Sequence, residues 1–123
     1  MIHLSNITKQ HGSQVWLVNT GWTGGAYGTG SRMRLAHTRA MVRAAVAGKL
    51  DAVATKTDPV FGLAVPAEIP GVPAEVLDAR GTWKDAAAYD AQAAKLAGMF
   101  AQNIEKFGDK VSPAIRAAGP TGK

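Results

Sequence analysis

Apolar residues form two helical periodicities along the chain. One stripe predicts a helix from about Thr38 to Ala47 through residues spaced as i, i+3, i+4, i+7 and i+8, namely Thr38, Met41, Val42, Ala45 and Val46. Gly48 is placed to end this helix in a left-handed conformation. A second stripe repeats every three or four residues and predicts a long helix from about Trp83 to Phe107, through Tyr89, Ala93, Leu96, Phe100, Ile104 and Phe107.

Capping residues flank the long predicted helix. Thr82 is predicted to cap its start, and Asp85 suits its positively charged first turn. Gly108 supplies the stop. At 1.5 Å per residue the helix would span about 37 Å, which is long for one small domain. The segment 113–123 that follows is rich in small residues and is predicted to be a flexible tail.

Shorter apolar segments predict strands. Val15–Val18 is continuously apolar, which favours a strand covered on both faces. Val60–Val65 lies between two prolines and predicts a second strand, within a region where Pro66, Pro70 and Pro73 exclude a long helix. Leu4–Gln10 is predicted to end a helix. The fold class is therefore α/β, with mixed short strands and a long C-terminal helix. These elements do not obviously close a core, so residues 1–123 are interpreted as a single partial domain.

Charge is distributed unevenly over the 123 residues. The chain has a net charge of +5 and no cysteine. Residues 1–50 contain six Lys or Arg residues and no Asp or Glu, whereas residues 51–123 are nearly balanced. This bias suits an anionic ligand, although for a charge bias alone a solvated basic face without a ligand is the favoured interpretation. Without cysteine, disulfides, cysteine zinc sites and thiol nucleophiles are excluded. No apolar run is long enough for a membrane helix, and the predicted location is the cytoplasm.

A glycine-rich segment over residues 20–32 is the most unusual motif. It contains Gly21, Gly24, Gly25, Gly28 and Gly30. Gly25 and Gly30 have the spacing of a phosphate-binding Walker loop, but Ser31 stands where that loop needs Lys, and Arg32 stands where it needs Ser or Thr. Both chemical positions fail, and a dinucleotide-binding glycine fingerprint is absent too. What remains is a loop that delivers Arg32 and Arg34 beside a helix start near Thr38. A guanidinium and a hydroxyl there can form the edge of a nucleotide site, or simply lie on the surface.

Other candidate residues give no clear chemistry. His3, His11 and His37 lack metal spacing, and the acidic residues show no acid–base pair. Trp16 and Phe61 lie in apolar runs and are interpreted as core residues rather than base-stacking platforms.

Several segments together resemble the C-terminal region of ATP-dependent phosphoenolpyruvate carboxykinase. The most specific is the run from Val15 to Gly25, which reads Val-Trp-Leu-Val-Asn-Thr-Gly-Trp-Thr-Gly-Gly. Tyr27-Gly28, Gly30–Met33 and His37–Ala40 follow. Further matching segments are Asp58–Gly62, Val65-Pro66, Pro70–Pro73, Leu77-Asp78 with Arg80, and Ala94–Ala97. The resemblance runs from about His11 to Phe107, and implies that the chain is the C-terminal part of the nucleotide-binding domain.

The resemblance implies a function in gluconeogenesis. Enzymes of this family are lyases that convert oxaloacetate and ATP to phosphoenolpyruvate, carbon dioxide and ADP, combining a decarboxylase with a kinase step, and they use Mg²⁺ and Mn²⁺. The family's ATP contacts carry over to Arg32, Met33 and Thr38. Two departures are visible, because Ala26 stands for the usual Pro and Ser31 for the usual Lys.

The resemblance also implies missing parts. The family's phosphate loop, metal ligands and oxaloacetate-binding residues all lie N-terminal to the matching region and have no counterpart here. The sequence therefore predicts no catalytic residue, no metal ligand and no turnover by this chain alone, with only the adenine side of the ATP site. The start at Met1 suggests a truncated or split gene, or an excised piece.

Two alternatives stay open. The chain is either this partial ATP site or a non-catalytic interaction fragment, which docks on a separate N-terminal polypeptide or self-associates. A small basic nucleic-acid binder is a third and weaker hypothesis, because no helix collects enough Lys and Arg. The favoured partners are ATP and the missing part of the enzyme, with no nucleic acid and no membrane.

Overall fold

The computed structural model describes residues 2–3 and 14–120. The helix end predicted at Leu4–Gln10 lies outside them. In chain order the elements are β1 (Ile2–His3), β2 (Trp16–Leu17), β3 (Trp22–Thr23), β4 (Ser31–Arg32), α1 (Leu35–Val46), β5 (Thr55–Thr57), β6 (Ala64–Pro66), α2 (Ala74–Leu77), α3 (Ala86–Glu105), a 3₁₀ turn at Gly108–Lys110 and α4 (Pro113–Ala117). The predicted α/β class, with short strands and one long helix, is confirmed.

Two small sheets organise the strands. Four strands pair in the order β2-β1-β6-β5, with antiparallel neighbours, and β3 and β4 form a separate antiparallel hairpin. The strand predicted at Val15–Val18 is present as β2, but the prediction of two covered faces is wrong for this chain. β2 lies at a sheet edge, and Leu17 keeps 49% of its surface exposed.

The predicted strand at Val60–Val65 is shifted towards its C-terminal end. Only residues from Ala64 onward join the sheet as β6. Val60 and Phe61 lie in a turn, because the Oδ1 atom of Asp58 accepts their backbone N–H groups at 2.9 and 2.7 Å. Side-chain capping of this kind competes with strand pairing, so the apolar run starts as a turn.

The core lies between α1 and the segment that follows it. Its buried residues are Met41, Ala44, Leu50 and Ile69, and Trp16, Met33 and Val53 are among the half-buried residues packed on them. The helix begins at Leu35, before the predicted Thr38. The predicted stripe is only partly right, since Val42 and Val46 are 44% and 85% exposed. Gly48 follows α1 with a φ of +66°, which confirms the predicted left-handed stop.

The long helix α3 is capped by Asp85 and not by Thr82. The Asp85 carboxylate accepts the backbone N–H groups of Ala87 and Ala88 at 2.8 and 3.2 Å. The Thr82 hydroxyl instead donates to the Ala79 carbonyl at 2.7 Å, so the predicted Thr82 cap is wrong. With 20 residues, α3 is about 30 Å long, shorter than predicted.

Fewer residues of α3 are buried than its apolar sequence pattern predicts. Ala93 and Ala97 are the buried residues of the helix. The larger side chains of Leu96 and Phe100 keep 39% and 52% of their surface exposed, and Phe107, which follows the helix, keeps 50%. The apolar side of this helix therefore stays largely uncovered by the described residues.

The C-terminal segment contains the short helix α4. The Ser112 hydroxyl accepts the Ile115 N–H at its start, at 3.4 Å. Arg116 donates to Glu105 at 2.8 Å and to the Gly108 carbonyl at 2.6 Å, which ties α4 to the end of α3. The predicted flexibility of residues 113–123 and the single-domain extent remain predictions. Within the described part of the chain, no helix has the length and apolar character needed to cross a membrane.

Candidate functional site

The glycine-rich loop closes the β3–β4 hairpin. Gly24 and Gly28 have φ values of +72° and +89°, which favour glycine. The chain returns on itself tightly: the Ala26 carbonyl accepts the N–H groups of Thr29 and Gly30 at 3.0 and 2.9 Å. A Cβ atom on Gly30 would lie 2.6 Å from the carbonyl oxygens of both Gly25 and Thr23. The close approach of the backbone therefore requires glycine at position 30.

Hydrogen bonds fix the base of the hairpin. The Asn19 side chain accepts the Gly21 N–H at 2.8 Å and donates to the Trp22 carbonyl at 3.1 Å. The Met33 N–H donates to the Gly21 carbonyl at 2.8 Å. Across the loop, the rings of Trp22 and Tyr27 meet edge to face, with centroids 5.1 Å apart. These contacts hold β4, the strand that carries Arg32, in a fixed position relative to β3.

The three residues predicted to contact ATP lie at one strand–helix junction. Arg32 ends β4, pairs with Trp22 across the hairpin and is exposed. Met33 is half-buried and packs on the core, so its position is anchored. Thr38 is half-buried in the first turns of α1, where its N–H donates to the Arg34 carbonyl at 3.2 Å. Arg32 and Thr38 therefore lie on two consecutive elements, and Met33, which packs on the core, holds the backbone between them.

The segment from Arg32 to Lys49 carries several unpaired cations. Arg32, Arg34, Arg39, Arg43 and Lys49 are all exposed, and none forms an ion pair with a described residue. The helix α1 also has no acidic residue in its first turn. The positive charge predicted for this half of the chain thus remains available to an anion.

A concave region is found at another place in the structure. A cavity of about 410 Å³ is bounded by β5, β6, α2 and the start of α3, and Arg32, Met33 and Thr38 are not part of its lining. On its wall, the Arg80 Nε and Nη2 atoms donate to the two carboxylate oxygens of Asp90 at 2.8 and 2.9 Å. This hydrogen-bonded pairing lowers the pKa of Asp90 and raises that of Arg80.

Sequence reasoning missed this cavity. Arg80 and Asp90 are ten positions apart on different elements, a spacing that carries no motif. The doublet Asp58-Pro59 at the cavity edge signals a turn, and it gives no indication of the cavity beside it.

Metal ligands are a separate question. Among residues 2–3 and 14–120, no group of three or more His, Asp or Glu side chains could hold a metal ion. The divalent ions that the resemblance implies do not fit these residues, so no metal-dependent step is assigned to them.

Comparisons with known proteins agree with the sequence resemblance. A profile of the family described as phosphoenolpyruvate carboxykinase matches residues 2–75. The phosphoenolpyruvate carboxykinase (ATP) of Rubrobacter xylanophilus is 56% identical over 117 residues, which cover 95% of this chain and 22% of that protein. Phosphoenolpyruvate carboxykinase (ATP) 2 of Moorella thermoacetica is 61% identical over 111 residues, covering 90% of this chain and 21% of that protein. The Lysinibacillus sphaericus protein, also named phosphoenolpyruvate carboxykinase (ATP), is 60% identical over 110 residues, with 89% and 21% covered.

The chain combines short strands and helices with exposed arginines that have no ion-pair partner among the described residues. The profile match over more than half of its residues is specific: the chain belongs to the ATP-dependent phosphoenolpyruvate carboxykinase family. It spans about a fifth of the length of the relatives it matches, at 21–22% of each.

Proposed function

We propose that this chain supplies the adenine side of the ATP site of a phosphoenolpyruvate carboxykinase. The whole enzyme would convert oxaloacetate and ATP to phosphoenolpyruvate, carbon dioxide and ADP in the cytoplasm, as one reaction of gluconeogenesis. The observation that carries the proposal is the junction of β4 and α1, where Arg32 is exposed and has no ion-pair partner among the described residues.

Each of the three residues has a distinct part in this site. The planar Arg32 guanidinium stacks on the purine or donates to its polar edge. The Thr38 hydroxyl donates to or accepts from the base, held in place by α1. The Met33 side chain is packed on the core, so it fixes the backbone between the other two. ATP brings the transferable phosphoryl group, and the groups that handle the phosphates would come from the rest of the enzyme.

A nucleotide titration with matched arginine variants tests the site. We expect weak ATP binding to the full chain, monitored by amide chemical shifts of residues 31–38, and loss of that binding in Arg32→Ala. Arg43→Ala removes the same charge from an exposed position of α1 and should change affinity only slightly. Equal losses in the two variants would indicate nonspecific attraction to a basic surface and would contradict the proposed base contact.

Specificity for the base separates this site from a phosphate site. Thr38→Val removes the hydroxyl and nearly keeps the volume, so it should reduce the preference for ATP over GTP. Inorganic triphosphate should compete poorly, because the proposed contacts are to the base. Competition by triphosphate at the ATP concentration would reject the assignment of Arg32 and Thr38.

A second candidate function is a non-catalytic interaction fragment. The uncovered side chains on α3 favour it, since Met99 and Phe100 are 55% and 52% exposed. In this case the chain docks on a separate polypeptide that carries the rest of the enzyme. Coexpression with a relative shortened by its matching C-terminal fifth tests this: the second candidate predicts a stable complex, and the first alone does not require one.

A further inference from the structure

The cavity of about 410 Å³ has a mainly apolar floor and a polar rim. Val60, Val65 and Leu77 contribute apolar surface, and Pro66 on its floor is fully buried. Cavities of this size with a few convergent polar groups are typical of small-molecule sites. None of the residues proposed to contact ATP lines it, so it is separate from the base site.

The rim charges are unequally satisfied. Arg80 and Asp90 neutralise each other through their two-point contact. Asp58 and Asp78 each use their Oδ1 atom to accept backbone N–H groups, from Val60 and Phe61 and from Gly81. Hydrogen bonding to the backbone does not cancel a carboxylate's charge, so two negative charges remain.

One unpaired cation also lines the cavity. Lys56 lies on the outer strand β5, is exposed, and forms no ion pair with a described residue. The cavity therefore has a net excess of negative charge at its rim. Tyr89 reports the same field: burial raises the pKa of its phenol, and the charges of Asp58, Asp78 and Asp90 raise it further.

We infer that this cavity binds a small organic cation, with an ammonium or guanidinium group at Asp78 and Asp58 and an apolar body against Val60, Val65 and Leu77. The aromatic pair of Trp83 and Tyr89, whose centroids are 5.6 Å apart, stiffens the wall beside it. An anion of the same shape is disfavoured, because it would meet the uncompensated carboxylates.

Three probes of matched shape test the charge requirement. 4-Phenylbutylamine, 4-phenylbutanol and 4-phenylbutyrate are titrated into the full ¹⁵N-labelled chain, and the amide shifts of Val60, Gly81 and Tyr89 are followed. The amine should bind, the alcohol should bind about two- to fivefold more weakly, which is the range of an exposed ion pair, and the carboxylate should bind most weakly. Equal affinity for amine and carboxylate, or shifts outside the cavity only, would overturn the inference.

Variants of opposite sign provide a second test. Asp78→Asn keeps the acceptor for the Gly81 N–H but removes the charge, and should weaken amine binding about two- to fivefold, whereas Lys56→Gln should strengthen it by a similar factor. Asp109→Asn, an exposed acid in the 3₁₀ turn outside this cavity, is the control and should change nothing. An arginine-rich peptide that binds while the amine does not would reject a small-molecule site. Identical behaviour of Asp78→Asn and Asp109→Asn would do the same.

Discussion

At the residue scale, Gly30 has the least room for a side chain in the hairpin. Its neighbours on that side are the backbone carbonyls of Gly25 and Thr23, which cannot swing aside like a flexible side chain. The geometry of the loop before Arg32 therefore depends on the absence of a Cβ atom at Gly30.

We predict that Gly30→Ala destabilises the chain by about 1–3 kcal/mol, the usual cost of forcing extra volume into a packed site. Gly98→Ala is the matched control: it lies within α3 with open space around it, and should stabilise by about 0.5–1 kcal/mol because alanine favours helix. Urea unfolding of both variants measures this. Equal effects would show that the close approach at Gly30 does not constrain the hairpin.

The residues of the proposed ATP site are named by the family resemblance and stay a prediction, whereas no sequence signal indicated the residues of the cavity. Ser31 and Arg32 occupy the two positions that would define a phosphate loop, so their identities excluded it directly. The partnership of Arg80 with Asp90 depends on how the turn before α3 folds back onto that helix, and no local periodicity encodes such a fold.

The pairing of Arg80 and Asp90 gives a pH prediction. Because Arg80 lowers the pKa of Asp90 below its ordinary 3.8, the pairing stabilises the folded state above that value and is lost as the pH falls through the lower, folded-state pKa. NMR titration of the Asp90 carboxyl should find this depressed pKa, and Arg80→Gln should return it towards 3.8. A value for Asp90 unchanged by Arg80→Gln would mean that the contact is not formed in solution.

At the element scale, helix α3 shows why an apolar repeat predicts that a helix is present better than it predicts where the helix begins. Its apolar repeat correctly predicted a long helix, but the start was misplaced because Thr82 and Asp85 both suit a cap. The turn preceding the helix decides between them: Thr82 is bonded to Ala79, and Asp85 is left to receive the first free N–H groups. Boundaries thus depend on a contact outside the repeat.

Asp85→Ala should lower the free energy of unfolding by about 1 kcal/mol, since the free N–H groups of Ala87 and Ala88 lose their acceptor. Thr82→Ala should leave the helix start intact. Hydrogen exchange at Ala87 and Ala88 distinguishes the two variants. Faster exchange in Thr82→Ala than in Asp85→Ala would show that Thr82, and not Asp85, caps the helix.

At the scale of the whole molecule, the core is small and one helix face is bare. The buried cluster is confined to α1 and its following segment, while Leu96, Met99 and Phe100 on α3 remain at least 39% exposed. The sequence predicted more coverage, namely a buried seam along the long helix and a strand at Val15–Val18 covered on both faces. In a chain that spans about a fifth of its relatives' length, the segments that cover these surfaces need not lie within the described residues.

We predict that the chain associates with itself at high concentration through this face of α3. Sedimentation should show a mass that rises with concentration, and Met99→Lys should reduce the rise. Gln102→Lys adds the same charge at another exposed position of α3 and should have little effect. A mass that stays monomeric at all concentrations would contradict the predicted self-association through α3.

The arrangement of the four-stranded sheet limits the form that such association takes. Its outer strands are β2, only two residues long, and β5, which presents Lys56 between two exposed threonines. Short edges and an edge lysine are devices that oppose the addition of a foreign strand. Crowded copies of this chain are therefore expected to associate reversibly through their helices, and not by adding strands at the two edges of this sheet.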